Sequence, residues 1–408
     1  MKKYAVQTYV CPFSGEPLSL VSIQEQALDL SREQIATLER RGIDPGDASV
    51  AVKEGFLYSE KGGYWFPIIN FIPIFLDFPV DLHSDFKHRH AGSHDLLNRL
   101  SIPDGTPRQG ELLVQMSFTR EWALIDLDVI SFALTPEQRD FFVSLELDWP
   151  ETFLDRDPLR VLEVGCGSGF ESASLSRITK GLIFGFDLNL ALVQKGHLLA
   201  GDPFINNAIS SLFRLPVRRQ NFDLVYSSGV IHHTYSTRAA LEEIVRYQKD
   251  DGLLYIWIYA KEDSASNFEQ RVKWLLEDLL RPTIARLPRV AQASMVKAMA
   301  LIHYRKWKKV GRHNRDLWRF KDSEHYIRDR WTPLYAHRQS FNETMCWFSE
   351  MGMEYRLIDP KRYQDFMGAP MFGIGMRGVH RNPDLQRREN TRAAPAARST
   401  AERAMHHA

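Results

Sequence analysis

Three glycines spaced by single residues, Gly165, Gly167 and Gly169, follow the apolar run VLEV and lead into FESASLSRITK, with Glu163 before them and Glu171 after. A strand that turns through such a loop into a helix brings bare backbone close to a ligand, because glycine interposes no Cβ and the first helical turn offers unpaired N–H groups. Phe170 stands where a dinucleotide fingerprint has its third glycine, which disfavours a nicotinamide-dependent reductase. Asp187 closes the next apolar run, LIFGFD. A carboxylate at that strand end can accept hydrogen bonds from both hydroxyls of a ribose. The run FDLVYSS then ends in Ser227 and Ser228 and is followed by His232, His233 and Tyr235. Open α/β sheets bind ligands at the carboxyl ends of their strands, and imidazole titrates near neutrality. Either histidine is therefore a candidate base for a hydroxyl acceptor, with Tyr235 as a candidate to orient it. In the competing reading one histidine caps the following helix and the other packs in the core.

The elements that must hold these residues follow from the apolar pattern. RVLEVG, LIFGFDL, FDLVYSS and LLYIWIYA read as strands, alternating with helices ESASLSRITK, ALVQKGHLLAG and AALEEIVRYQKDDG, the last closed by Gly252. Alternation of this kind predicts an α/β fold with a parallel, Rossmann-like sheet and crossover helices. The core should span 151–260 and finish at 340–380, where a helix (FNETMCWFSEMGM) and two strands (EYRLID, MFGIGMRGV) are expected. Residues 261–339 read as a helical insertion broken by Pro282 and Pro288. Ahead of the core, 1–80 reads as a small β-rich module, and 81–150 as a helical linker or lid interrupted at IPDGTPRQG. Residues 381–408 lack any apolar period and are expected to form a disordered tail.

The motifs E-V-G-C-G-S-G (163–169), G-F-D-L (185–188), R-L-P (214–216), F-D-L-V-Y-S (222–227) and G-V-I-H-H-T (229–234) stand in the order of a class I S-adenosylmethionine-dependent methyltransferase, and the core resembles that family's type 11 group. The resemblance implies S-adenosyl-L-methionine as cofactor. It implies that Gly165, Gly167 and Gly169 shape the pocket, that Glu163 and Asp187 supply a negative field for the cationic sulfonium, that Asp187 holds the ribose with Leu188 beside it, and that Ser211, Leu212 and Phe213 border the adenine. Ser228 then lies at the strand end beside the transferring methyl. The family often carries an aspartate at the position of Ser211, reaching the adenine amino group. Methyl transfer is an in-line displacement that depends mainly on alignment. The N-P-P-Y tetrapeptide of amino-group methylation on bases is missing from the end of FDLVYS, which argues against that chemistry. The stretch T-P-L-Y-A-H-R-Q-S-F-N-E-T-M-C-W-F (332–348) resembles uncharacterised bacterial methyltransferases.

The front of the chain carries a second resemblance. C-P-F-S (11–14) and G-F-L-Y-S-E-K-G-G-Y-W-F-P-I (55–68) are similar to a zinc ribbon of the Trm112 type, in which two C-x-x-C pairs close a tetrahedral site. Here Cys11, Ser14, Ser59 and Gly62 fall at the four ligand positions, so the module is read as metal-free.

Composition narrows the class of partner. The chain has 408 residues, 44% hydrophobic and 25% charged, with a formal net charge of +1, which gives no global attraction to nucleic acid or membrane. Three scattered cysteines fit a reducing, cytoplasmic compartment, and no apolar run is long enough to span a bilayer. The run HYRKWKKVGRHNR (303–315) reads either as a solvated helix face or as a site for an anionic acceptor. NFEQRVKWLLEDLLRPTIARLP reads either as a helix packed on its own domain or as an amphipathic helix on a membrane. The leading expectation is methylation of a small molecule or saccharide. The rivals are a catalytically weak cofactor-binding partner protein and an RNA methyltransferase.

Overall fold

A computed structural model describes residues 1–125, 134–148, 151–261, 268–309, 318–368, 371 and 373–380. The expected tail, 381–408, and Arg312 and Arg315 of the basic run lie outside the described residues.

The chain builds two sheets. The first contains β1 (Ser19–Ala27), β2 (Val50–Ser59), β3 (Tyr64–Ile69) and β4 (Ile72–Pro73), antiparallel and in sequence order. The second contains β5 (Arg160–Val164), β6 (Leu182–Asp187), β7 (Ile205–Ile209), β8 (Phe222–Ser228), β9 (Gln248–Tyr259), β10 (Met353–Leu357) and β11 (Gly373–His380). Their order across the sheet is β10-β11-β9-β8-β5-β6-β7. The five strands from β5 to β9 pair in parallel, and β11 runs antiparallel to both β9 and β10. The fold is therefore Rossmann-like α/β, with a small β-rich module at its front. β5 and β6 are buried almost without interruption rather than on alternate residues, because a parallel sheet is covered by helices on both faces.

Two elements differ from the sequence reading. β7 is INNAI, and its two asparagines hide it, since Asn is depleted in strands. Both are buried and bonded: Asn206 Oδ1 accepts from Lys2 N, Asn206 Nδ2 donates to Tyr4 Oη, and Asn207 Nδ2 donates to Ser172 Oγ. The helix expected to reach Gly252 ends at Val245 instead, and Gln248–Gly252 begin β9. Gly252 is thus a strand glycine, where a Cβ would press on Gln248 Cγ and Phe222 O at 3.0 Å. Likewise Pro282 does not end its helix, which runs Phe268–Ala285, whereas Pro288 does stand at a boundary, as the N-cap of Arg289–Trp307.

The segments that flank the front sheet are fastened to the edge strand β7 and to the loop after it. Phe75 N donates to Ile209 O (2.7 Å), Val10 N to Pro216 O (2.8 Å), and the buried Lys2 Nζ to Ile205 O (2.9 Å). This pairing covers an edge that would otherwise expose unpaired backbone groups. The helical insert leaves the sheet and re-enters it at one point: Lys261 N donates to Gln339 O (2.7 Å) and Gln339 N to Tyr259 O (3.0 Å). Among the described residues no helix is long and apolar enough to cross a membrane.

Candidate functional site

The carboxyl ends of β5, β6, β8 and β9 open into a cavity of about 700 Å³. That volume falls within the roughly 300–1,000 Å³ of small-molecule sites. Its floor is the parallel sheet. Helices Glu111–Trp122 and Pro136–Leu147 contribute to its walls, and the insert adds aromatic side chains from Trp274, Trp307, Trp318 and Tyr326.

Of the residues singled out in the sequence, Gly165, Asp187, Leu188, Ser211, Leu212, Phe213, Ser228, His233 and Tyr235 line this cavity, whereas Glu163, Gly167, Gly169 and His232 lie behind its surface. The glycine loop is shaped by the protein's own packing. Gly165 and Gly167 have φ of +84° and +56°, and a Cβ on them would meet Val230 at 2.1 Å and the Trp122 ring at 2.5 Å. Trp122, the last residue of its helix, thus lies against the loop. Asp187 is half-buried and ties loop to strand: Oδ2 accepts from Gly167 N (2.7 Å), and Oδ1 from Asn189 N (2.8 Å) and Asn189 Nδ2 (2.6 Å). Burial raises its carboxyl above the ordinary value, against the pull of these donors.

Glu163 is placed differently from a residue that projects negative charge into the pocket. It is buried beneath the loop, accepts a hydrogen bond from Ser172 Oγ, and is pushed by burial up to about 8, so near neutrality it is mainly uncharged.

At the other end of the pocket the structure supplies a carboxylate that the sequence did not reveal. Ser211 Oγ donates to Glu111 Oε1, while Glu111 Oε2 accepts from Arg108 N (2.8 Å). Glu111 opens its helix, so the positive end of the helix dipole also favours its charge. Glu111 thus brings a carboxyl group to the 211–213 loop from the helix ahead of the core. No motif marks it, because the two residues lie far apart in sequence.

The two histidines have separate environments. His232 is fully buried, with neither ring nitrogen hydrogen-bonded, and its ring lies 4.1 Å from Tyr259 and 4.2 Å from His233. Burial and then the neighbouring His233 hold it well below its usual value, so it is a neutral packing residue in this structure. His233 faces the cavity. Its Nδ1 lies 2.8 Å from Tyr335 O, a group that can only accept, which assigns the proton to Nδ1. Its Nε2 is 3.3 Å from Asp329 Oδ1. Burial opposes ionisation of Asp329, but His233 and the hydroxyl of Tyr259, which donates to Oδ2, hold its carboxyl well below the usual range. The cap of the following helix is Ser236, which accepts from Ala239 N (3.2 Å), rather than either histidine. Tyr235 is exposed at the rim and stacks on Phe213 at 4.8 Å.

A second buried carboxyl, also without a motif, sits near Ser228. Glu146 accepts from Tyr226 Oη (2.6 Å) and Tyr255 Oη (2.8 Å), and burial pushes it up to about 7. On the same helix Arg139 pairs with Glu171 in the first turn after the glycine loop, and all three residues line the cavity.

In the front module, Cys11, Ser14, Ser59 and Gly62 come together: a Cβ on Gly62 would lie 2.9 Å from both serine hydroxyls and 3.0 Å from Cys11 Sγ. Among the described residues no three His, Cys, Asp or Glu side chains are grouped as metal ligands.

Residues 162–256 match a family profile described as a methyltransferase domain. The chain is similar to malonyl-(acyl-carrier protein) O-methyltransferase of Legionella pneumophila, 30% identical over 107 residues that make up 25% of this chain and 37% of that protein. It is also similar to the mitochondrial arginine-hydroxylase NDUFAF5 of Mus musculus, 35% identical over 98 residues, 24% of this chain and 28% of that one. Each match therefore spans well under half of the curated relative. Among solved structures, magnesium protoporphyrin IX methyltransferase from Synechocystis PCC 6803 with bound SAH aligns over 67% of this chain and 100% of that one, with 12% identity and a TM-score of 0.37. The family match runs from Leu162 in β5 to Ile256 in β9, so it takes in the glycine loop, Asp187, the 211–213 loop and both histidines, and leaves the front sheet and the insert outside.

Proposed function

We propose that the chain is an S-adenosyl-L-methionine-dependent methyltransferase acting on a small-molecule or saccharide acceptor. The observation that carries this reading is the cavity pairing of two carboxylates: Asp187 at the end of β6, held by the glycine loop, and Glu111, held against the 211–213 loop. The first suits ribose hydroxyls and the second an adenine amino group, with Leu188, Leu212 and Phe213 as apolar walls for the base. Arg139 and Glu171 are suited to the two ends of a zwitterionic amino acid. When bound, the cofactor supplies an electrophilic methyl group. The chain's own residues then align the acceptor and exclude water; where the acceptor carries a proton, His233 Nε2 takes it, with Nδ1–H held on Tyr335 O and the resulting imidazolium paired to the Asp329 carboxylate. His232 supports this ring by packing.

The front module is read as a metal-free relative of the Trm112-type ribbon, on the strength of the four converging ligand positions. The scarcity of cysteine supports a cytoplasmic location. Two measurements test the main proposal. Calorimetry should find binding of S-adenosylhomocysteine and none of NADH. Incubation with methyl-labelled cofactor and an acceptor panel, read by mass spectrometry, should find gain of a methyl group; gain of an oxygen atom instead would assign a hydroxylase, and cofactor binding without any product a non-catalytic partner.

A further inference from the structure

The insert carries an apolar face that its own fold does not use. In helix Phe268–Ala285, Glu277, Arg281 and Ile284 are buried and Trp274 lines the cavity, so this side faces inward. On the other side Val272, Leu275, Leu276, Leu279 and Leu280 recur at three- and four-residue spacing, and the most open of them, Leu275 and Leu279, are 68% and 69% exposed. The next helix, Arg289–Trp307, adds Val290, Leu301 and Ile302. Eight of the fifteen exposed large apolar side chains among the described residues therefore belong to this one segment. Single exposed leucines need no explanation, but a stripe with helical period does.

Charge selects what covers it. From Leu279 to Lys309 the sequence contains no Asp or Glu, while Arg286, Arg289, Lys297, Arg305, Lys306 and Lys309 are all exposed. Leu301 and Arg305, and Ile302 and Lys306, are four residues apart and share a helix face, so apolar and cationic groups are presented together. Asp278, an exposed acid on the first helix, is occupied by Arg338 at 3.0 Å. A protein partner would be served by the leucines alone. The run of exposed cations on the helix that follows the leucines, interleaved with Leu301 and Ile302, matches a surface that is apolar below and negative above, which describes an anionic bilayer. We infer that the insert docks the protein on an anionic lipid surface, with the outward leucines in the interface and the basic strip over the headgroups.

The full chain should co-sediment with phosphatidylcholine vesicles that contain phosphatidylglycerol, and at least about tenfold less with pure phosphatidylcholine vesicles or in high salt. The double variants Leu275→Ser/Leu279→Ser and Arg305→Gln/Lys306→Gln should each weaken partitioning by about tenfold or more, with melting temperature and S-adenosylhomocysteine affinity unchanged. Three results would overturn the inference: partitioning of the leucine variant equal to the parent, equal binding to neutral and anionic vesicles, or a dimer in sedimentation velocity that the leucine substitutions abolish while vesicle binding persists. Because cofactor affinity is read separately, failure of the docking leaves the methyltransferase proposal untouched.

Discussion

Glu111→Ala separates a carboxylate that reads the adenine from one that merely holds a loop. In the parent, Glu111 Oε1 accepts from Ser211 Oγ and Oε2 from Arg108 N at 2.8 Å, and both oxygens keep lone pairs for a donor in the cavity. A hydrogen bond to a charged group contributes about 1.5–3 kcal/mol, so losing one to the adenine amino group should weaken S-adenosylhomocysteine about 10- to 150-fold. The substitution also strips an acid from a helix N-terminus, worth about 0.3–1 kcal/mol, so some loss of stability is expected whether or not adenine is contacted. The discriminating assay is therefore a ligand cycle by calorimetry. S-inosylhomocysteine replaces the amino group with a carbonyl, which would oppose the Glu111 carboxylate. The parent should favour the adenosyl over the inosyl ligand by about tenfold or more, and Glu111→Ala should lose most of that preference. An unchanged preference in the variant would remove Glu111 from the adenine site, however far its absolute affinity falls. Glu111→Gln, which keeps an acceptor oxygen for Ser211, should recover part of the preference.

Four further outcomes are expected. Asp187→Ala should weaken cofactor binding by about 1.5–3 kcal/mol in calorimetry, since it removes a charged acceptor that the loop has already positioned. His233→Ala should lower turnover by about 10²–10⁴-fold with little change in cofactor affinity, while His232→Ala should alter stability and leave turnover near that of the parent. Burial raises Glu163 from 4.5 to about 8, so the folded state holds a proton that the unfolded state releases; the stabilisation is complete below the lower value and is lost as pH rises through the upper one. Glu163→Gln should flatten that part of the unfolding profile, by up to about 1.36 kcal/mol per pH unit between the two values. The purified chain should carry no stoichiometric zinc by elemental analysis, whereas Ser14→Cys/Ser59→Cys/Gly62→Cys should bind one ion per chain if the four positions form the remnant of a ribbon site.

The parallel core was legible because its information is local. β5, β6, β8 and most of β9 are contiguous apolar runs bounded by the residues that turn the chain, and the glycine loop and Asp187 occupy fixed places at their ends. β7 was not legible, because INNAI is a strand for tertiary reasons: its asparagines are bonded by Lys2 and Tyr4 from the start of the chain and by Ser172 from the helix after the glycine loop. The start of β9 was obscured in the opposite way. YQKDDG continues a helical pattern, and only pairing of Gln248 with Phe222 draws it into the sheet.

The same division runs through the site. Residues set by the strand ends were found from the sequence, and their partners were not. Glu111, Asp329 and Tyr335 come from the helical segment ahead of the core and from the insert, where no spacing marks them and where only packing across the cavity gives each a role. The carboxyl group over the 211–213 loop therefore depends on the helix that begins at Glu111 being seated. That helix ends at Trp122 against Gly167 and donates Gln115 Nε2 to Leu188 O at 3.2 Å. Its two ends thus touch the two ends of the proposed cofactor site, and anything that lifts it should weaken the adenine contact and loosen the glycine loop together.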